Sequence, residues 1–130
     1  MNSLKILCLC AVAAFALAAC GGSSYCADSA TAYDSLVNTK MASCPTGKAQ
    51  VSAYPPLRDT ACTTALTSCS SADDTLLATQ ITCMNALANC TVDDGTYFVG
   101  LSACQKAGMC KTSAACIAAF GMTTVCAAIP

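Results

Sequence analysis

Apolar side chains recur at intervals of three and four from Cys26 through Ala30, Tyr33, Val37 and Met41 to Cys44. That interval lines residues up along one stripe of an α-helix and predicts a helix over 26–44. Pro45 and Gly47 end the stripe, and Tyr54-Pro55-Pro56 cannot continue a helix, so residues 45–57 read as the one long loop. Further on, the pattern repeats. Cys62-Thr-Thr-Ala65-Leu66-Thr-Ser-Cys69 returns 21 residues later as Cys83-Met-Asn-Ala86-Leu87-Ala-Asn-Cys90, and a third copy, Cys104-Gln-Lys-Ala107-Gly108-Met-Cys110, follows at the same interval, one residue shorter and with Gly108 in place of Leu. The segments between copies agree as well, each carrying hydroxyl residues and an Asp pair, Asp73-Asp74 and Asp93-Asp94. Three tandem helical units are expected.

Cysteines seven apart lie within about 20° of one helical face, so each Cys-x6-Cys unit predicts a helix with both cysteines on its buried side. The Ser, Thr and Asp residues after each second cysteine supply an N-cap and negative charge for the next helix. Helices are therefore expected near 58–69, 74–90, 95–107 and, from Thr112 to Phe120 before Gly121, 112–120. The 58–69 and 74–90 pair should be antiparallel across the turn at 70–74. No segment alternates convincingly as a strand. The expected fold is all-α, a small disulfide-rich bundle of about five antiparallel helices.

Thirteen cysteines in 130 residues place the chain among disulfide scaffolds of oxidising compartments. Cys8 and Cys10 lie in an apolar leader. The candidates for bridges are Cys26, Cys44, Cys62, Cys69, Cys83, Cys90, Cys104, Cys110, Cys116 and Cys126. Ten is even, so all can pair. A Cys62–Cys83 bridge fits the heights of two antiparallel helices, whereas a nested Cys62–Cys90 and Cys69–Cys83 arrangement needs a more central turn. The number of possible pairings is too large for spacing to choose among them.

The leader itself, with Lys5 ahead of the apolar run Ile6 to Ala19, has the form of a signal peptide over 1–19. Its end, Leu17-Ala18-Ala19-Cys20 before Gly21-Gly22-Ser23-Ser24, resembles the lipobox of bacterial lipoproteins. The resemblance implies that Cys20 becomes the lipidated N-terminal residue, that 20–25 form a tether reaching at most about 18 Å, and that 26–130 form a single domain. Gly21 stands where, in lipoproteins of this kind, an Asp signals inner-membrane retention, which implies sorting to the outer membrane. The alternative is a secreted or soluble periplasmic protein, which would leave Cys20 as an eleventh, unpaired thiol. Together, the lipobox, the helix to Cys44 and the units Cys62-x6-Cys69-Ser-Ser-Ala-Asp and Cys83-x6-Cys90 resemble small cysteine-rich lipoproteins of myxobacterial type. That likeness implies a location and a scaffold, and brings no active site with it.

Composition removes most chemistry. The chain has no His, and all seven acidic residues are Asp. The commonest metal ligand and the commonest carboxylate base are thus absent. A net charge of −1 with six cationic side chains offers no footprint for nucleic acid. From Cys26 onward no two cysteines stand closer than six positions, unlike the Cys-x-x-Cys of dithiol enzymes and most metal clusters. Helix capping accounts for the Asp pairs. The expectation is a protein that is not an enzyme, with no metal and no cofactor, bound to a membrane through Cys20 and structural or partner-binding in the cell envelope. The other reading is a carrier of a small hydrophobic or lipid ligand. Tyr54 and Arg58, at the end of the expected loop, are the candidates for contact with an envelope partner.

Overall fold

The first stripe folds as expected in the computed structural model, which describes residues 23–93 and 95–129. The expected leader and Cys20 lie outside the described residues. Helix α1 (Ser23–Ser35) starts three residues before the expected boundary, so part of the supposed tether is already helical. It passes into a π-helical turn, Leu36–Lys40, in which the Met41 N–H donates to the Leu36 carbonyl at 2.9 Å. Widening the turn by one residue brings Leu36, Val37 and Met41 inside together.

The expected loop 45–57 is corrected by α2 (Pro45–Ser52). The expected helix 26–44 already stops at Lys40, followed by a turn at 41–43, and Pro45 opens the next helix, because at the first helical position its missing N–H costs nothing. The amides of Thr46 and Gly47 donate to Asp93, 2.8 and 3.0 Å away, so a distant carboxylate caps this helix. A Cβ at Gly47 would come within 2.7 Å of the terminal methyl of the buried Met41 side chain, which would have to shift to admit it. Only the stretch 53–58 around Pro55 and Pro56 remains irregular.

The three repeat units are helical, but shorter than expected. Helices α3 (Asp59–Leu66), α4 (Ser71–Ala86) and α5 (Thr96–Ala107) each carry the first cysteine of a unit. Cys69, Cys90 and Cys110 lie beyond the helix ends, so the one-face argument holds only for Cys62, Cys83 and Cys104. A turn of 3-10 helix, Met109–Lys111, follows α5. Short helices α6 (Ala114–Ala119) and α7 (Thr123–Ala128) follow, the latter beyond the last helix the sequence predicts. Gly121, at φ +67°, stops α6. The amides of Gly121 and Met122 return to the carbonyls of Ala118 and Ile117, both at 3.0 Å, closing the helix end in a Schellman arrangement.

All ten described cysteines are bridged: Cys26–Cys62, Cys44–Cys90, Cys69–Cys116, Cys83–Cys104 and Cys110–Cys126. This corrects both the Cys62–Cys83 pairing and the nested one. The reason is packing. Helix α3 runs antiparallel to α1, joined by Cys26–Cys62 and by the Arg58–Asp34 ion pair nearer the start of α3. Cys83 faces α5, which descends antiparallel along α4. Helices α1 and α4, distant in sequence, lie side by side and parallel: Tyr25 packs in the cluster around Leu77, and Lys40 reaches the carbonyl of Asn85. Two apolar clusters result. One gathers Leu36, Val37, Met41, Val51 and Met84, and the other Tyr25, Leu77, Met109 and three cysteines, with Ile81 packed against both.

Gly108, the residue that breaks the Leu pattern of the repeat, marks a close approach of the end of α5 to α4. A Cβ at this position would meet the Gln80 Cβ at 2.3 Å, the Leu76 carbonyl at 2.8 Å and the Gln80 Cα at 2.9 Å. Two of these are backbone atoms, so neither helix can yield cheaply. Gly108→Ala should lower unfolding free energy by about 1–3 kcal/mol in denaturant titrations. Gly100→Ala, whose methyl meets only the flexible tip of Leu87 at 3.1 Å, should be nearly neutral, because helix propensity offsets the contact. Mass mapping of a non-reduced digest should return the five bridges named above, and a peptide joining Cys62 to Cys83 would contradict the packing of α3 on α1.

Candidate functional site

The carboxylate of Asp73 is the polar group around which two helix ends meet. It stands at the third position of α4, is 3 % exposed, and accepts four hydrogen bonds. The Ser70 amide and hydroxyl donate at 2.7 and 2.9 Å, and the Ser113 amide and hydroxyl at 2.7 and 2.8 Å. Ser70 answers by accepting from the Asp73 amide, which completes a capping box at the start of α4. Ser113 in turn caps α6 by accepting from the Cys116 amide. One anion therefore ties two helix N-termini together, and the Cys69–Cys116 bridge binds the same two elements covalently.

The hydrogen bonds set the charge state. The Ser70 amide, then the Ser113 amide, then the two hydroxyls hold the Asp73 carboxyl down at about 2, outweighing the opposing effect of burial. Asp93 is also held below the ordinary carboxylate range, first by the Gly47 amide and then by that of Thr46. Capping was the expected role of both Asp pairs. Asp93, however, caps α2 far upstream instead of the helix that follows it, and Asp94 lies outside the described residues.

The proposed contact residues separate. Tyr54 is 81 % exposed, just past the end of α2. Arg58 is committed within the domain: its guanidinium pairs with Asp34 at 2.6 Å and lies 6.0 Å from the centre of the Tyr33 ring. Its exposed face remains accessible, but its orientation is set by α1. Sequence reasoning passed over two other residues. Ser113 is the distant half of the Asp73 node, and its only signal is a hydroxyl just before a short helix. Lys40 donates to the carbonyls of Asn85 and Leu87 at the end of α4, and its own carbonyl accepts from the Cys90 amide at 2.7 Å. A cation on the final carbonyls of a helix is favourable, but the sequence offers nothing to show which helix Lys40 meets.

Among the described residues, Cys69, Asp73 and Cys116 bring two sulfurs and a carboxylate oxygen within 4.8 Å of one another. The sulfurs are bonded to each other and both carboxylate oxygens already accept hydrogen bonds, so the arrangement is a structural joint. None of the three comparisons, with family models, curated proteins and solved structures, finds a match to this chain.

Asp73→Ala leaves the Ser70 and Ser113 caps but removes the carboxylate that accepts from both residues, and should cost about 1–3 kcal/mol, the range for leaving buried donors unpaired. The carboxyl is depressed on folding, so its contribution is fully present above the unfolded value of about 3.9 and disappears as pH falls through about 2. Unfolding midpoints measured between pH 5 and pH 2 should therefore fall more steeply for the wild type than for Asp73→Asn. Parallel curves would remove Asp73 from the acid response.

Proposed function

We propose that this protein is a non-catalytic lipoprotein of the cell envelope, held to the membrane by acyl chains on Cys20 and acting as a rigid structural or partner-binding module. The observation that carries the reading is the closed pairing of the thiols: every described cysteine is bridged to another, which leaves Cys20 without a partner among them. A lone thiol at the end of an apolar leader, in the Leu-Ala-Ala-Cys context, fits a site of lipid attachment. Five bridges fit an oxidising compartment. Among the described residues no helix is long and apolar enough to cross a membrane, so attachment in this reading rests on the lipid. A single acyl chain binds reversibly, and stable anchoring needs more than one.

The geometry of the start of the chain supports a close mount. Only Gly21 and Gly22 lie between Cys20 and α1. Three residue steps span at most about 11 Å, shorter than the tether first expected. The end of the bundle that holds the start of α1 would then sit at the bilayer surface. The non-catalytic part rests on how the reactive groups are used, with the thiols in bridges and Asp73 and Asp93 on helix ends. The outer membrane, favoured over the inner by Gly21, is the proposed location.

Cys20→Ser should move the protein from the membrane to the soluble fraction or halt its processing. The intact mass of the wild type should exceed that of the chain beginning at residue 20 by the mass of its acyl groups. A membrane-bound wild type whose mature terminus carries no lipid would overturn the anchor.

A further inference from the structure

The five bridges differ in how open they are to chemistry from solvent. Thiol–disulfide exchange requires an attacking thiolate to reach one sulfur while the other leaves as a thiolate, and a thiolate in apolar surroundings is disfavoured. Both cysteines of Cys26–Cys62 and of Cys44–Cys90 are buried. Cys69 and Cys83 are partly exposed, but their partners, Cys116 and Cys104, are fully buried. Attack on the outer sulfur of either bridge would expel a thiolate into the core, and attack on the inner one would have to enter it. At Cys69–Cys116 the Asp73 carboxylate, within 4.8 Å of both sulfurs, adds like-charge repulsion. Among the described bridges, Cys110–Cys126 alone has both residues partly exposed. Lys111, which is exposed, follows Cys110 directly, and no other of the ten cysteines has a cationic neighbour in the sequence. A nearby cation favours the thiolate.

The same bridge is what holds α7 in place. Cys69–Cys116 anchors α6, and beyond Cys116 the one covalent restraint is Cys110–Cys126. The Ser113 cap and the closure at Gly121 fix α6 as far as Met122. Past Met122 the restraints thin out. Helix α7 has six residues, none of them buried, and no described side chain caps its start. A helix of that length does not persist untethered in water. While it is docked, Val125 and Ile129 are partly covered and Cys126 packs against the apolar cluster around Tyr25 and Leu77.

We propose that Cys110–Cys126 is a thiol-exchange site, a redox-sensitive clasp that a dithiol reductant opens ahead of the other four bridges, releasing residues 123–129 from the bundle. A thiolate of the reductant bonds to one cysteine sulfur as the bond between the two cysteine sulfurs breaks. The other cysteine leaves with the electron pair and takes a proton from water. The second thiol of the reductant, as its thiolate, then attacks the mixed disulfide, bonds to the first reductant sulfur and frees the remaining cysteine, which is protonated in turn. Two electrons and two protons pass to the protein, and the dithiol departs as a disulfide. The other four bridges and the Asp73 joint stay closed, so the change is confined to the C-terminal segment. The proposal stands independently of lipid on Cys20.

The test uses the full-length chain carrying Cys8→Ser, Cys10→Ser and Cys20→Ser, so that the ten described cysteines are the only ones present. The folded protein is exposed to graded dithiothreitol, freed thiols are trapped with iodoacetamide at successive times, and the labelled positions are read from peptide fragment masses. Cys110 and Cys126 should be labelled together, about tenfold or more faster than any other pair. In the partly reduced protein, amide hydrogen exchange should rise across 123–129, where the Cys126 amide donates to the Met122 carbonyl at 2.8 Å, and stay unchanged in α1 and α4. The double variant Cys110→Ser, Cys126→Ser should show the same exchange pattern without reductant, and should take up no label under conditions that open the clasp in its parent. Should that variant fail to fold, the order of labelling and the exchange pattern of the parent decide the question. First labelling at another pair, labelling of all ten cysteines at one rate, or opening of Cys110–Cys126 with α7 still protected would each overturn the proposal.

Discussion

A single buried carboxylate, Asp73, joins parts of the chain that have little else to hold them together. Helix α6 is six residues long, too short to persist alone in water. Its first turn is organised by Ser113, and Ser113 is positioned by an anion on α4, 40 residues earlier. The Cys69–Cys116 bridge closes the same joint from the other side. Covalent link and anion do different jobs. The bridge fixes how far apart the two elements can move, and the four directed hydrogen bonds fix their mutual orientation. From this joint the lower core follows, because Met109, Phe120 and Met122 reach Tyr25 and Leu77 only when α6 lies across the start of α4.

The same logic recurs at the opposite end with weaker parts. Asp93 caps α2, Lys40 covers the last carbonyls of α4, and Cys44–Cys90 links the two regions. Charges are few in this protein, and several of them are placed on helix ends, where each compensates a terminus as well as making a contact.

Helix type was legible because it depends on local rules. The three- and four-residue spacing that starts at Cys26, the hydroxyl and Asp residues between the cysteine units and the turn before Thr96 all act within a few positions, although the expected turn at 70–74 proves to be the first turn of α4, which starts at Ser71. The cysteine repeat correctly marked three units, yet it placed the second cysteine of each on a helix that ends before it. Pairing was not legible, since the 21-residue period says that α3 and α4 are alike and nothing about which neighbour each meets. Helix α2 was missed for a physical reason: Pro45 reads equally well as a stop or as a first residue, and the cap that decides it comes from Asp93, 46 residues away from Gly47. Gly108 was visible as a departure from the Leu pattern, but its cause, backbone against backbone at Gln80, exists only in the assembled bundle. Of the contact pair, Tyr54 could be read as exposed from its Pro-rich setting. The commitment of Arg58 to Asp34 required the antiparallel packing of α3 on α1.

The order of the bridges along the chain has its own consequence. Cys26–Cys62 overlaps Cys44–Cys90, that loop overlaps Cys69–Cys116, and the last overlaps Cys110–Cys126, with Cys83–Cys104 inside. The four overlapping loops cover every peptide bond from residue 26 to residue 126. A single cut by a protease anywhere in that span releases no fragment, because the two pieces stay covalently joined on either side of the nick. Damage at an exposed turn such as the one around Tyr54 thus leaves the two parts of the domain joined. Such a chain comes apart only after a second cut or a reductant.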